Sequence, residues 1–283
     1  MVERRKFEYQ ADFKKLFSGL CGSKSNWQVW SDFVMLAAIS LSNVLDKSEL
    51  REKREQQYLS ITQSYAKQEA EKFPELLAIM VKALEENPEQ DFLGELFMGL
   101  GLGSHWNGQF FTPYHIGHFM AIASLETVDI TAEQKGYVGI LDPCCGAGVL
   151  LIAARNVLAS KNIGPLQALY VAQDIDVTAA LMCYIQLSLL GCAGYVVVGN
   201  SLSNPIVCAG SGVLPVLQEG QDIWFTPMFY SEVWQGRRMV AQMDYILRNA
   251  PAADIPEITE PTETPEPERM PLSTTDSGQL TLF

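Results

Sequence analysis

Tyr137-Val138-Gly139-Ile140-Leu141-Asp142-Pro143-Cys144-Cys145-Gly146-Ala147-Gly148-Val149-Leu150-Leu151 is the stretch that decides how the chain is read. Residues 137–141 are a short, partly β-branched apolar run, the pattern of a buried parallel strand. From Val149 to Leu158 the sequence is apolar and alanine-rich with no breaker, so a helix follows. Strand, glycine turn and helix together present unpaired backbone N–H groups at a helix start, a seat for a ligand carrying negative charge. Glycine at 146 and 148 lets the backbone come close to such a ligand. A dinucleotide site would place a third glycine where Leu151 stands, and a phosphate loop would end in Gly-Lys-Ser/Thr. Neither pattern is present. A turn without any ligand is the plain alternative.

Two neighbours narrow the choice. Upstream, Gly108-Gln109-Phe110-Phe111-Thr112-Pro113 leads into a helical run, His115 to Leu125. Downstream, a second apolar strand, Leu169 to Gln173, ends in Asp174-Ile175-Asp176. These three elements, in this order, resemble the N6-adenine DNA methylase family, best known from the modification subunits of type I restriction systems. The resemblance covers roughly residues 91–202. It implies an α/β chain with a Rossmann-like methyltransferase domain whose methyl donor is S-adenosylmethionine. Carried over residue by residue, it surrounds the donor with Gln109, Phe111, Thr112, Pro113, Asp142, Pro143, Gly146, Gly148, Asp174 and Asn200. Asp174 would meet the ribose hydroxyls, as an acid ending the second strand does in nucleotide folds. Asp176 is the second choice, though one residue of two alternates out of the pocket. Asn200 follows a third strand, Tyr195–Val198, where the family usually carries an acid; it would take the donor's adenine amino group through its amide oxygen.

In this family the fourth strand is followed by Asn, Asp or Ser, then Pro-Pro and an aromatic. The polar group and the first proline's carbonyl accept the N–H bonds of the target adenine, and the aromatic stacks on the flipped base. Here Asp222-Ile223-Trp224-Phe225 precedes Thr226-Pro227-Met228-Phe229, a degenerate match that casts Thr226, Pro227 and Phe229 as the catalytic residues. A full methyltransferase sheet needs further strands, whereas 231–249 reads as one amphipathic helix carrying Arg237 and Arg238, free for phosphate or a salt bridge. A truncated sheet is therefore expected. The function expected is adenine-N6 DNA methylation within a modification system; the alternative is an inactive, donor-binding interaction protein that reaches DNA through a partner. A specificity subunit or a second methyltransferase chain is the partner that fits.

Residues 1–100 read as an all-helical N-terminal domain, with 101–249 as the donor domain. The net charge of −13 argues against unaided DNA binding, because phosphate neutralisation dominates that affinity. From Pro251 onward there are seven acids against Arg269 alone, a net −6 that leaves −7 on the remainder. Three histidines without companion ligands give no metal site. Six cysteines without a Cys-x-x-Cys pair read as reduced thiols, and no run is long enough to span a membrane, so a cytoplasmic location is expected. Residues 250–283 read as a disordered, acidic, proline-rich tail. It ends in Gln279-Leu280-Thr281-Leu282-Phe283, which resembles the bacterial sliding-clamp-binding motif. Leu280, Leu282 and Phe283 would fill apolar pockets while Gln279 bonds a backbone group.

Overall fold

The computed structural model describes residues 2–22, 24–105, 111–128, 136–209 and 212–249. The first part is helical: α1 (Val2–Ser18), α2 (Asn26–Ser42), α3 (Glu49–Gln63), α4 (Lys67–Ala70), α5 (Lys72–Glu86) and α6 (Phe92–Gly99). α2 is largely apolar and buried, and Ser25 caps it by accepting from the Gln28 N–H. Phe13 and Phe17 of α1 meet Trp30 edge-to-face, the favoured geometry for aromatic pairs.

The second part alternates strand and helix. α7 (Tyr114–Ser124) precedes β1 (Val138–Asp142), α8 (Val149–Ser160), β2 (Ala168–Asp174), α9 (Val177–Leu189) and β3 (Ala193–Val198). A short hairpin follows, β4 (Val207–Ala209) with β5 (Leu214–Val216), then β6 (Asp222–Phe225) and α10 (Glu232–Asn249). The main sheet has the order β1-β2-β3-β6. β1, β2 and β3 are parallel, with Val138 opposite Ala168 and Leu169 opposite Ala193, and each crossover runs through a helix, as parallel pairing requires. β6 is antiparallel to β3, pairing Val198 with Asp222 and Tyr195 with Phe225. Gly194 permits the close β2–β3 approach: a Cβ there would stand 1.8 Å from the Tyr170 carbonyl oxygen.

One face of the sheet carries the large core. Val138, Ala168, Tyr170 and Val196 pack with α8, α9 and the buried side chains of α1, α2, α5 and α6. The helices at the start of the chain thus share their core with the sheet. The opposite face packs Leu169, Val171, Tyr195, Val197 and Ile223 against Phe229 and Trp234. Contacts divide the chain into one unit through Tyr245 and a second from Ile246.

The sheet's two edges differ. At β6, the buried Arg54 of α3 donates to Ser42, Asp46, Asp222 and the Ile223 carbonyl, with its guanidinium 3.6 Å over the Trp224 ring. A charged side chain spent on an edge carbonyl blocks further pairing there. At the other end, no strand among the described residues pairs with the outer edge of β1. No helix among the described residues is long and apolar enough to cross a membrane.

Candidate functional site

β1, β2 and β3 run the same way, so the loops at their carboxyl ends gather at one end of the sheet. Between them lies a cavity of about 440 Å³ lined by Phe111, Pro143, Cys144, Gly146, Asp174, Ile175, Asn200, Ser201 and Leu202. Backbone hydrogen bonds set its shape. Cys145 N–H donates to the Gln173 carbonyl at 3.0 Å, and Gly199 N–H to the Asp174 carbonyl at 2.9 Å. The buried Gln173 side chain fixes the third loop, donating to the Asn204 carbonyl and accepting from Ile206 N–H.

Asp174 ties the second loop to the glycine turn. Its Oδ2 accepts from Gly146 N–H at 2.8 Å and its Oδ1 from Asp176 N–H at 2.9 Å. Gly146 and Gly148 have φ of +53° and +95°, the left-handed region that favours glycine. A Cβ on Gly146 would come within 3.1 Å of the Phe111 ring, and one on Gly148 within 2.8 Å of Cys183 Sγ. Gly148 therefore acts on packing at the start of α8 and does not line the cavity.

Asp142 lies behind the turn. Its Oδ1 accepts from Cys144 N–H at 3.1 Å, while Oδ2 is buried with no partner. Burial pushes this carboxyl above its usual range, and the Asp174 charge adds to the shift. A buried acceptor without a donor is costly unless a ligand supplies one.

Other residues depart from the sequence reading. Asn200 Oδ1 already accepts from the N–H groups of Leu202 and Ser203 at 2.9 and 3.2 Å, so the oxygen expected to accept is engaged and the amide NH₂ is what it can offer. Asp176 caps α9, accepting from Ala179 N–H at 2.6 Å, and is buried away from the cavity; burial pushes it up to about 6. Thr112 and Pro113 line a second cavity, of about 700 Å³, with Lys6, Asp91, Glu95 and Tyr114, and Phe111 borders both. Gln109 lies outside the described residues, as do Gln279, Leu280, Leu282 and Phe283. Ile175 and Leu202, exposed apolar residues on the cavity wall, were missed in the sequence; their signal was apolar side chains directly beside polar loop residues.

The segment read as catalytic is elsewhere. β6 starts beside the cavity end and runs away from it, so Thr226 emerges next to Gly194, at the amino ends of the parallel strands. Its hydroxyl accepts from Gly194 N–H at 2.9 Å and donates to the Gly194 carbonyl at 3.1 Å. Thr226 and Phe229 are fully buried, and Phe229 stacks on Phe225 with rings 5.5 Å apart. Pro227 opens the 3₁₀ turn Pro227–Tyr230 that leads to α10. The assignment of Thr226, Pro227 and Phe229 to a target base is corrected by this placement: antiparallel pairing sends them to the wrong end of the sheet. Arg237 and Arg238 are also engaged. Arg237 donates to the Leu166 and Gly136 carbonyls and lies over Trp234, while Arg238 lies 4.6 Å over Phe229.

A family model described as N-6 DNA methylase matches residues 102–256, more than half of the chain. The chain belongs to the N-6 DNA methylase family. The match takes in the glycine turn, all of the main sheet and the β6–α10 segment, reaching beyond the residues that carried the resemblance in the sequence. No curated protein and no solved structure matches this methylase-family chain.

Proposed function

We propose that this methylase-family chain is the S-adenosylmethionine-binding, Rossmann-like component of an adenine-N6 DNA methyltransferase of the modification-system kind. The observation that carries the reading is the convergence of Pro143, Gly146, Asp174 and Asn200 on one cavity beside the glycine turn. Its volume falls in the range of small-molecule sites. The residues also suit the donor chemically. Asp142 Oδ2 is an orphaned buried acceptor suited to an ammonium group. Asp174 uses one lone pair on each oxygen for backbone and keeps the others for ribose hydroxyls. Ile175 and Leu202 offer apolar surface to a purine, whose ring nitrogens the Asn200 NH₂ can meet. Bound there, the donor's sulfonium supplies an electrophilic methyl group. The chain's own residues hold and orient it.

A second reading, methylation by this chain alone, loses support because Thr226 is buried at the amino ends of the parallel strands. The two readings separate in an assay with tritiated donor and mixed DNA. The purified chain is expected to bind donor and transfer no label to adenine; transfer by the chain alone would refute the component reading. The clamp-like pentapeptide supports a tether that holds the assembly near DNA without phosphate contacts, consistent with a net charge of −13.

A further inference from the structure

The order of the sheet points to a missing neighbour. In a doubly wound fold the ligand crevice lies where strand order reverses, between two strands whose crossovers leave in opposite directions. Here every crossover from β1 goes one way, to β2 and then β3, so the wall supplied by a strand on the other side of β1 is absent among the described residues.

The helices match that gap. α9 packs on β2 and β3, α8 packs on β1 and on α9, and α7 packs chiefly on α8. A Cβ on Gly117 of α7 would stand 3.4 Å from Val149 and 3.5 Å from Leu150, and Ala121 clusters with Ala153, Ala154 and Val157, a group that Ile140 of β1 joins. α7 therefore lies against α8 beside Ile140 of the edge strand β1. Its outer residues are apolar and open: Ile116, Phe119, Met120 and Ile122 are 44%, 71%, 46% and 52% exposed. On the opposite face of β1, Leu141 is 60% exposed and a Cβ on Gly139 would meet nothing within 4 Å.

We infer that the open β1 edge and the outer face of α7 dock a second polypeptide, one that lays a strand parallel to β1 and carries the base-handling turn at that strand's carboxyl end. This rests on the donor-binding reading above. A strand added in that sense brings its last residues beside Asp142 and the cavity, under the cover of α7. Exposure supports a real interface: Ile116, Phe119, Met120 and Ile122 stand open together on α7, Leu141 adds to them across the edge strand, and the strand edge and a polar rim extend the surface toward the ~800 Å² per partner of a standard interface. Charge selects the occupant. With −13 on this chain, the DNA-facing basic surface belongs to the partner, whereas a second copy would add like charge and no base-handling turn. Residues 250–283 fit the edge poorly, because their frequent prolines cannot donate to a ladder.

The test places a photo-crosslinking benzophenone amino acid at Phe119 in the full chain, expressed in its source cells, with Leu59 on α3 as the control position. The expected crosslinked peptide comes from a separate chain and precedes or contains Asn, Asp or Ser followed by Pro-Pro and an aromatic. A peptide from a second copy, from residues 250–283, from a protein without that turn, or no crosslink at all would overturn the inference. The double variant Phe119→Glu, Met120→Glu is expected to lower co-elution of that partner at least tenfold while donor affinity stays within twofold; undiminished co-elution would also overturn it. Donor titration of the same preparation keeps the two claims apart. Intact donor binding with no heterologous crosslink rejects the docking surface alone, and absent donor binding rejects the reading beneath it.

Discussion

Replacing Thr226 with valine separates a structural from a catalytic role for this residue. Valine keeps the branched shape and removes the hydroxyl that bridges β6 to β3. The Gly194 carbonyl retains a partner, since Thr226 N–H still donates to it at 3.0 Å. The Gly194 N–H, which donates to the hydroxyl at 2.9 Å, is left buried and unpaired. An orphaned donor of this kind costs about 1–3 kcal/mol, and the lost O–H···O bond adds to that. At roughly 2–4 °C per kcal/mol for a unit of this size, the melting temperature of Thr226→Val is expected to fall by roughly 4–10 °C. Donor affinity, measured on the folded protein, is expected to stay within twofold, because the cavity lies at the other end of the strands. Thermal unfolding with calorimetric titration checks both. A variant with unchanged melting temperature and impaired methyl transfer would refute the placement and restore the catalytic reading.

Other perturbations test separate parts of the fold. Gly148→Ala is expected to cost about 2–4 kcal/mol, from left-handed backbone strain plus overpacking against Cys183; Gly136→Ala, with φ +72° and open space, isolates the strain at about 1 kcal/mol, and equal costs for the two would sink the packing argument. Asp91 is buried and pushed up to about 6 by desolvation, although Gln186 and Gly94 donate to it. A raised carboxyl binds its proton more tightly in the folded state, so its penalty is full above about pH 6 and is relieved as pH falls toward the usual value of 3.8. Between pH 7 and pH 4 the wild type should therefore gain about 2–3 kcal/mol relative to Asp91→Asn in urea unfolding, and parallel pH profiles would contradict this. Deleting Leu282 and Phe283 should abolish binding to the sliding clamp in a pull-down with purified clamp and leave donor binding unchanged; retained clamp binding would reject the tether.

The glycine turn was legible because its signals are local: an apolar strand, two glycines and an unbroken helix lie within a few residues of one another. Asp174 was legible for the same reason, as the acid ending the next strand. The direction of β6 was not legible, because its pairing with β3 joins residues as far apart in the chain as Tyr195 and Phe225. A signal was present nonetheless. Residues 199–221 hold Gly, Ser, Pro and Asn with no helical run, and a parallel return would have needed a helical crossover. Arg54 sits on α3, a charged, glutamine-rich helix by sequence, and is nevertheless buried against Asp222 and Ile223, far away in sequence. Arg237 and Arg238 likewise looked free on an amphipathic helix, and only the fold supplies the carbonyls and rings that engage them. Asn200 shows a subtler limit: its identity was plain, but an Asx-type turn had already taken its oxygen.

The most direct measurement is calorimetric titration of the purified chain with S-adenosylmethionine and its demethylated product, beside Asp174→Ala. Saturable one-to-one binding by the wild type, weakened at least tenfold by Asp174→Ala in a variant that still unfolds cooperatively, with a melting temperature lowered by the loss of the Gly146 and Asp176 hydrogen bonds, is the expected result. No heat of binding for either molecule, or equal affinity in the variant, would contradict the claim that the glycine turn and Asp174 hold the methyl donor.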